Sequence, residues 1–227
     1  MTGAYPDPIS RRFITASVMA ATVMNSLDST IANVALPHIQ GSVSASGEEI
    51  TWVLTSYIVA AAIMTPLTGW LAGRFGRKRL MLWSIVGFTA VSGLCGIANS
   101  LGELVGFRLL QGVFGAALVP MSQAILLDIN PPERHGPAMA VWGMGAILGP
   151  IIGPALGGWL TDNLSWRWVF YINLPIGALA FAGLSAFLTE TKDAARPRLD
   201  LFGFAMLALA IGSIQLMLDR GQTKDWF

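Results

Sequence analysis

Seven stretches of this chain are apolar over close to 20 residues, the length a helix needs to cross about 30 Å of hydrocarbon. They cover about 13–36, 51–72, 80–98, 102–127, 137–160, 168–188 and 201–218, numbered below as spans 1 to 7, with short connections between them. The pattern predicts an all-α, polytopic membrane helix bundle. In such a chain the polar residues inside the spans are informative, because each must be matched within the protein. Span 4 carries Arg108, whose guanidinium stays protonated at any physiological pH and costs about 2.5 to 3.5 kcal/mol at the centre of a membrane helix. It therefore needs a bundle interior or a cavity, and a partner. Gln111 and Gly112 lie under the same face and Gly115 and Ala116 continue it, so one side of span 4 is polar and small enough for a second helix to come close.

Span 1 supplies the expected partner. Asp28 is the only acidic residue deep inside any of the seven spans. At about 1.5 Å per residue it lies about 12 Å from the outer end of its span, and Arg108 about 9 Å from the outer end of span 4, so both sit in the outer half. Thr22, Ser26, Ser29 and Asn33 form one polar stripe on span 1, while Asp28 shares its face with Ala21, Asn25, Ala32 and Ala35. That face is expected to pack on span 4 while the stripe lines a cavity. A static ion pair that only orients two helices is the plainer alternative.

Span 5 repeats glycine every fourth residue, at Gly145, Gly149, Gly153 and Gly157, with Gly158 beside the last and Pro150 and Pro154 interleaved. The glycines make a bare ridge for a partner helix, and each proline removes an internal hydrogen bond and bends the helix. Between spans 2 and 3 the residues from Gly69 to Arg79 include Arg74, Gly76, Arg77 and Lys78; Asp128, at the inner end of span 4, is placed to pair with Arg74 or Arg77. Gly69-Trp70-Leu71 ends span 2 and Gly158-Trp159-Leu160 ends span 5, on opposite membrane faces, a short echo of three helices repeated with inverted topology. Trp166, Trp168, Phe170 and Tyr171 near the outer end of span 6 read as an aromatic belt.

Composition agrees with the pattern. Of 227 residues, 54% are hydrophobic and 12% charged, against about a quarter charged in a soluble domain. With the N-terminus inside, the cytoplasmic segments hold ten Lys or Arg, among them Arg11, Arg12, Lys192, Arg196 and Arg198, and the outer ones only Arg167, Arg220 and Lys224. This asymmetry predicts a cytoplasmic N-terminus. The Arg11-Arg12 pair resembles part of a twin-arginine export signal, but the apolar run after it is too long for a signal core. The single cysteine, Cys95, gives no disulfide framework or metal site, and no cofactor is expected. There is no phosphate loop, no nucleic-acid-binding pattern and no constellation of nucleophile, base and orienter, so the chain does not read as an enzyme.

Taken together, these motifs resemble the major facilitator superfamily, specifically its fourteen-helix drug/proton antiporters of the EmrB/QacA type. The segments that carry the likeness run from Asp28 to Pro37, Gly69 to Arg79, Arg108 to Ala117, Gly145 to Gly158 and Trp166 to Pro175, with Asp200-Leu201-Phe202-Gly203 before span 7. One departure is Gly73, where the superfamily's loop motif usually has an aspartate. The resemblance implies a cytoplasmic tail over 1–12, an N-terminal half of six helices built as inverted 3+3 repeats over 13–188, a cytoplasmic link over 189–200, one further helix over 201–218 and an outer loop over 219–227. A C-terminal half of the same protein would complete it. It implies a bacterial inner-membrane efflux transporter of drug resistance, driven by inward proton flow and expelling lipophilic, often cationic compounds. Asp28, Arg108, Gln111, Asn25 and Asn33 would form its proton and substrate site, the span 5 ridge would seal against the second half, and a periplasmic adaptor is a possible partner beside the membrane lipid. Export of another metabolite or peptide on the same fold, and a non-transporting truncated subunit, are the alternatives. A seven-helix receptor fits poorly, since its N-terminus would face the other way and span 7 has no lysine for a retinal.

Overall fold

The computed structural model describes residues 5–190 and 199–221, which form helices with no strand among them. Span 1 is helix α1 (Pro8–Val43), longer at both ends than its apolar core, with the Asp7 carboxylate capping its first turn. Span 2 comprises α2 (Gly47–Ile50), α3 (Trp52–Met64) and α4 (Leu67–Phe75); span 3 is α5 (Arg77–Ile97). Span 4 is α6 (Leu101–Gly115) and α7 (Leu118–Asp128), span 5 is α8 (His135–Asn163), span 6 is α9 (Trp168–Tyr171) and α10 (Asn173–Phe187), and span 7 is α11 (Leu201–Arg220). Lys192, Arg196, Arg198 and Lys224, counted above for orientation, and most of the link and the outer loop lie outside the described residues.

The break between α3 and α4 and the breaks inside spans 4 and 6 have one cause. Pro66, Pro120 and Pro175 each lack the N–H that would bond to the carbonyl four residues earlier, at Ala62, Ala116 and Tyr171, and the breaks fall beside or between those positions. In span 2 the two main pieces meet at 59°. By length and composition, five described helices are apolar enough to cross a membrane, six with the bent span 2 included. Span 1 is long enough, but Asn25, Ser26, Asp28, Ser29, Thr30 and Asn33 keep it below that mark. Three of the residues that lower its hydropathy, Asn25, Asp28 and Ser29, also build the site.

Span 1 packs on spans 5 and 6, span 4 packs on spans 2 and 3, and span 3 packs on span 6. Exchanging 1 with 4, 2 with 5 and 3 with 6 leaves this set of neighbours unchanged, as two inverted three-helix repeats require. The same exchange relates two cationic caps. Lys78, at the start of span 3, donates through Nζ to the Ser185 carbonyl at 2.8 Å and to the Leu188 carbonyl, at the end of span 6. Arg167, at the start of span 6, donates to the Gly96 and Ala98 carbonyls at the end of span 3, at 3.1 and 2.6 Å. Each helix thus places a cation on the electronegative C-terminus of its antiparallel neighbour, at opposite ends of the bundle. Span 7 lies against α3 of span 2.

Two apolar clusters fill the bundle. One, toward the end where the N-terminus lies, gathers Ile14, Met24, Met81, Phe88, Leu118 and Leu184; the other, toward the opposite end, gathers Ile31, Ile39, Leu104, Leu160, Val169 and Phe170. The aromatic-belt reading of span 6 holds only in part. Trp168 is 48% exposed, but Trp166 and Phe170 are buried in the second cluster, because α9 turns that side of span 6 inward.

Candidate functional site

Between the two clusters sits a fully enclosed polar network. Arg108 and Gln111 are completely buried and Asp28 is 1% exposed. Arg108 donates through one terminal nitrogen to Asp28 Oδ2 at 2.6 Å and to Gln111 Oε1 at 2.8 Å, and through Nε to the Val53 carbonyl at 3.1 Å. Gln111 Nε2 donates to Asp28 Oδ1 at 2.9 Å, as does Asn173 Nδ2, also at 2.9 Å. Three spans, 1, 4 and 6, therefore meet at one carboxylate, and span 2 joins the network through the Val53 carbonyl on Arg108. A buried charge pair is tolerable only when further hydrogen bonds satisfy its remaining lone pairs, and here amides from spans 4 and 6 supply them. The helical spacing of Arg108, Gln111 and Gly112 brings all three to one face, and Gly112 lets span 2 close on it. A Cβ there would collide with the Tyr57 carbonyl.

Tyr57 connects this network to an open cleft. Its ring centroid lies 4.3 Å from the Arg108 guanidinium carbon, and its hydroxyl accepts a hydrogen bond from Asn25 Nδ2 at 2.9 Å. Asn25, Ser29, Tyr57, Ala61, Gly115 and Val119 are among the residues lining a cleft of about 410 Å³ between spans 1, 2 and 4. Its wall is mostly apolar with a few convergent polar groups, the usual character of a small-molecule site.

Each residue anticipated from the sequence now has a place. Asp28, Arg108 and Gln111 come together; Asn25 stands on the cleft wall; Asn33 is exposed and joins neither. The polar stripe of span 1 does not face a single cavity. Thr22 bonds back to Val18, Ser26 and Thr30 turn to span 5, and Ser29 lines the cleft. Gly145, Gly149, Gly153 and Gly157 are buried, and a Cβ on any of them would meet Met19, Ser26, Thr30 or Ile31 of span 1. The ridge is therefore filled by span 1. The expectation that it seals against a second half is corrected, because that face has no room for another helix. Pro150 and Pro154 are exposed on other sides of span 5, and a Cβ at Gly158 would meet nothing within 4 Å.

At the end of the bundle where the N-terminus lies, Asp128 pairs with Arg77, while Arg74 lies over the Trp70 and Phe75 rings. Gly76 has φ of 94°, which favours glycine, and the Glu190 carboxylate occupies the space a side chain there would need. Glu190 accepts from the Lys78 backbone N–H at 3.2 Å and so caps span 3, which has no capping side chain of its own. Gly69 faces open space. Sequence reasoning missed Asn173, Tyr57 and Glu190 as members of these sites. Asn173 had a legible signal, an amide inside the apolar run of span 6.

Among known proteins, the family model described as Major Facilitator Superfamily matches residues 18–218. The Multidrug export protein EmrB of Escherichia coli (strain K12) is 46% identical over 215 residues, 94% of this chain and 42% of that protein. The Fatty acid resistance protein FarB of Neisseria gonorrhoeae is 43% identical over 222 residues, 95% of this chain and 43% of that one. The chain thus spans less than half the length of the curated relatives it matches. Among solved structures, the human organic anion transporter MFSD10 (TETRAN) superposes with a TM-score of 0.66 at 22% identity, over 88% of this chain and 53% of that one. A D-xylose-proton symporter superposes with a TM-score of 0.66 at 15% identity, over 94% and 54% of the two chains. These two likenesses concern the fold alone.

Proposed function

Because the chain belongs to the major facilitator superfamily, and so is a multi-pass membrane protein, we infer that the protein it represents is a proton-coupled multidrug exporter rather than an enzyme. The observation that carries this reading is the carboxylate of Asp28, 1% exposed and held by Arg108, Gln111 and Asn173 one residue's reach from the cleft. A proton on Asp28 cancels its charge and loosens its hold on Arg108. The helices that meet there then favour a different packing, and a bound proton shifts the equilibrium by its differential affinity for the two arrangements. A lipophilic, often cationic compound in the cleft is exported as protons return, which is alternating access. Support comes from the 46% identity to a multidrug export protein.

In this reading the N-terminus is cytoplasmic, the membrane is the bacterial inner membrane, a C-terminal half completes the cleft and a periplasmic adaptor receives the compound. Residues 13–188 form one six-helix half, and the Arg77–Asp128 pair holds its cytoplasmic end in one conformation. The likeness to a fatty acid resistance protein favours a second reading, in which the exported compound is an amphipathic acid on the same fold.

The test is ethidium accumulation in an efflux-deficient host that expresses the complete reading frame, with a proton gradient and after a protonophore. Lower accumulation that vanishes with the protonophore is expected. No effect on ethidium, with protection against long-chain fatty acids instead, selects the second reading; no effect on either overturns both.

A further inference from the structure

We propose that Ser26 is a positioning residue that ties span 5, at the hydrogen bond missing before Pro150, to the helix carrying Asp28. Pro150 has no N–H, so the carbonyl four residues earlier, at Ala146, loses its helical partner. Inside a membrane protein an unsatisfied carbonyl is costly, and something must donate to it. Ser26 Oγ donates to the Ala146 carbonyl at 2.7 Å, across the interface from span 1. One residue group along, Thr30 Oγ1 lies 3.2 Å from the Gly149 carbonyl. The arrangement depends on the bare ridge, since a Cβ at Gly149 would collide with Ser26. The hydrogen bond that proline removes from span 5 is thus replaced from span 1.

The position of that hydroxyl matters for coupling. Ser26 is two residues from Asp28 and faces the opposite neighbour: Asp28 reaches spans 4 and 6, while Ser26 reaches span 5. Any movement of span 1 that follows a change at Asp28 is delivered to span 5 at the Ala146 carbonyl through Ser26. This step rests on the reading of Asp28 as the proton site; the local claim, that Ser26 substitutes for the missing Pro150 hydrogen bond, does not.

A double-mutant cycle on the full-length protein tests it. In Pro150→Ala the residue at 150 regains an N–H for Ala146, and Ser26 becomes redundant. Ser26→Ala alone is expected to reduce the maximal rate of ethidium efflux about fivefold to tenfold, the range of one buried hydrogen bond, with a smaller change in KM. The same substitution in the Pro150→Ala background is expected to change neither the rate nor the unfolding temperature further. Equal losses in both backgrounds, or no loss in either, overturn the proposal. Should Pro150→Ala fail to fold, the matched pair Ser26→Thr and Ser26→Val decides, Thr retaining the rate and Val losing it; equal rates overturn the proposal. If the wild type does not export ethidium at all, the multidrug reading fails, while the cycle read in unfolding temperatures still reports on Ser26 and Pro150.

Discussion

Arg108→Ala is expected to abolish gradient-driven export and to lower the thermal unfolding temperature of the purified protein. The guanidinium is fully buried and holds three acceptors: the Asp28 carboxylate, the Gln111 side-chain oxygen and the Val53 carbonyl. Removing one member of such a pair leaves the other charge enclosed without compensation, which costs about 3–5 kcal/mol. Arg108→Lys is expected to recover only part of the stability, because an ammonium cannot reproduce the planar fork that reaches Val53 and Asp28 together. The double variant Asp28→Asn/Arg108→Gln removes both charges and is expected to regain most of the unfolding temperature while remaining inactive. A double variant that exports at the wild-type rate would reduce the pair to a structural strut.

Gly149→Leu is expected to eliminate export while protein still reaches the membrane in comparable yield. Even a Cβ at this position overlaps Ser26, and the remaining atoms of leucine have nowhere to go but into span 1. Overpacking costs about 1–3 kcal/mol, and here it also drives apart the helix that holds Asp28 and the Pro150 turn of span 5. Gly158→Leu is the matched control: a Cβ there meets nothing within 4 Å, and export is expected to stay within about twofold of wild type. Efflux rates normalised to membrane yield compare the two.

The features legible in the sequence are those set within a single helix. The apolar lengths located every span, and the enclosed charges of Asp28 and Arg108 pointed to each other because nothing else of opposite sign lies at membrane depth. The rotation of one helix against another was less legible. Span 1 carries hydroxyls on several sides, and helical spacing alone does not say that Ser26 meets span 5 while Ser29 meets the cleft. The ridge on span 5 announced a close neighbour without naming it, since any helix of small residues satisfies the same pattern; the neighbour is span 1. Phe170 reads as a membrane-interface residue by its place in the chain, yet α9 turns it against Arg108, with 5.9 Å between guanidinium carbon and ring centroid. Asn173 completes the network from a helix whose only sign of it was one amide.

Proton exchange at Asp28 against the exported compound is the step on which the proposed function turns. Its most direct measurement is proton release on adding ethidium to the purified full-length protein in weakly buffered detergent near neutral pH, compared with Asp28→Asn after both proteins are shown to be folded by unfolding temperature. Release is expected from the wild type and none from Asp28→Asn. Equal release from both would contradict it, place the exchanging carboxylate elsewhere in the protein and leave Asp28 as a structural anchor for Arg108.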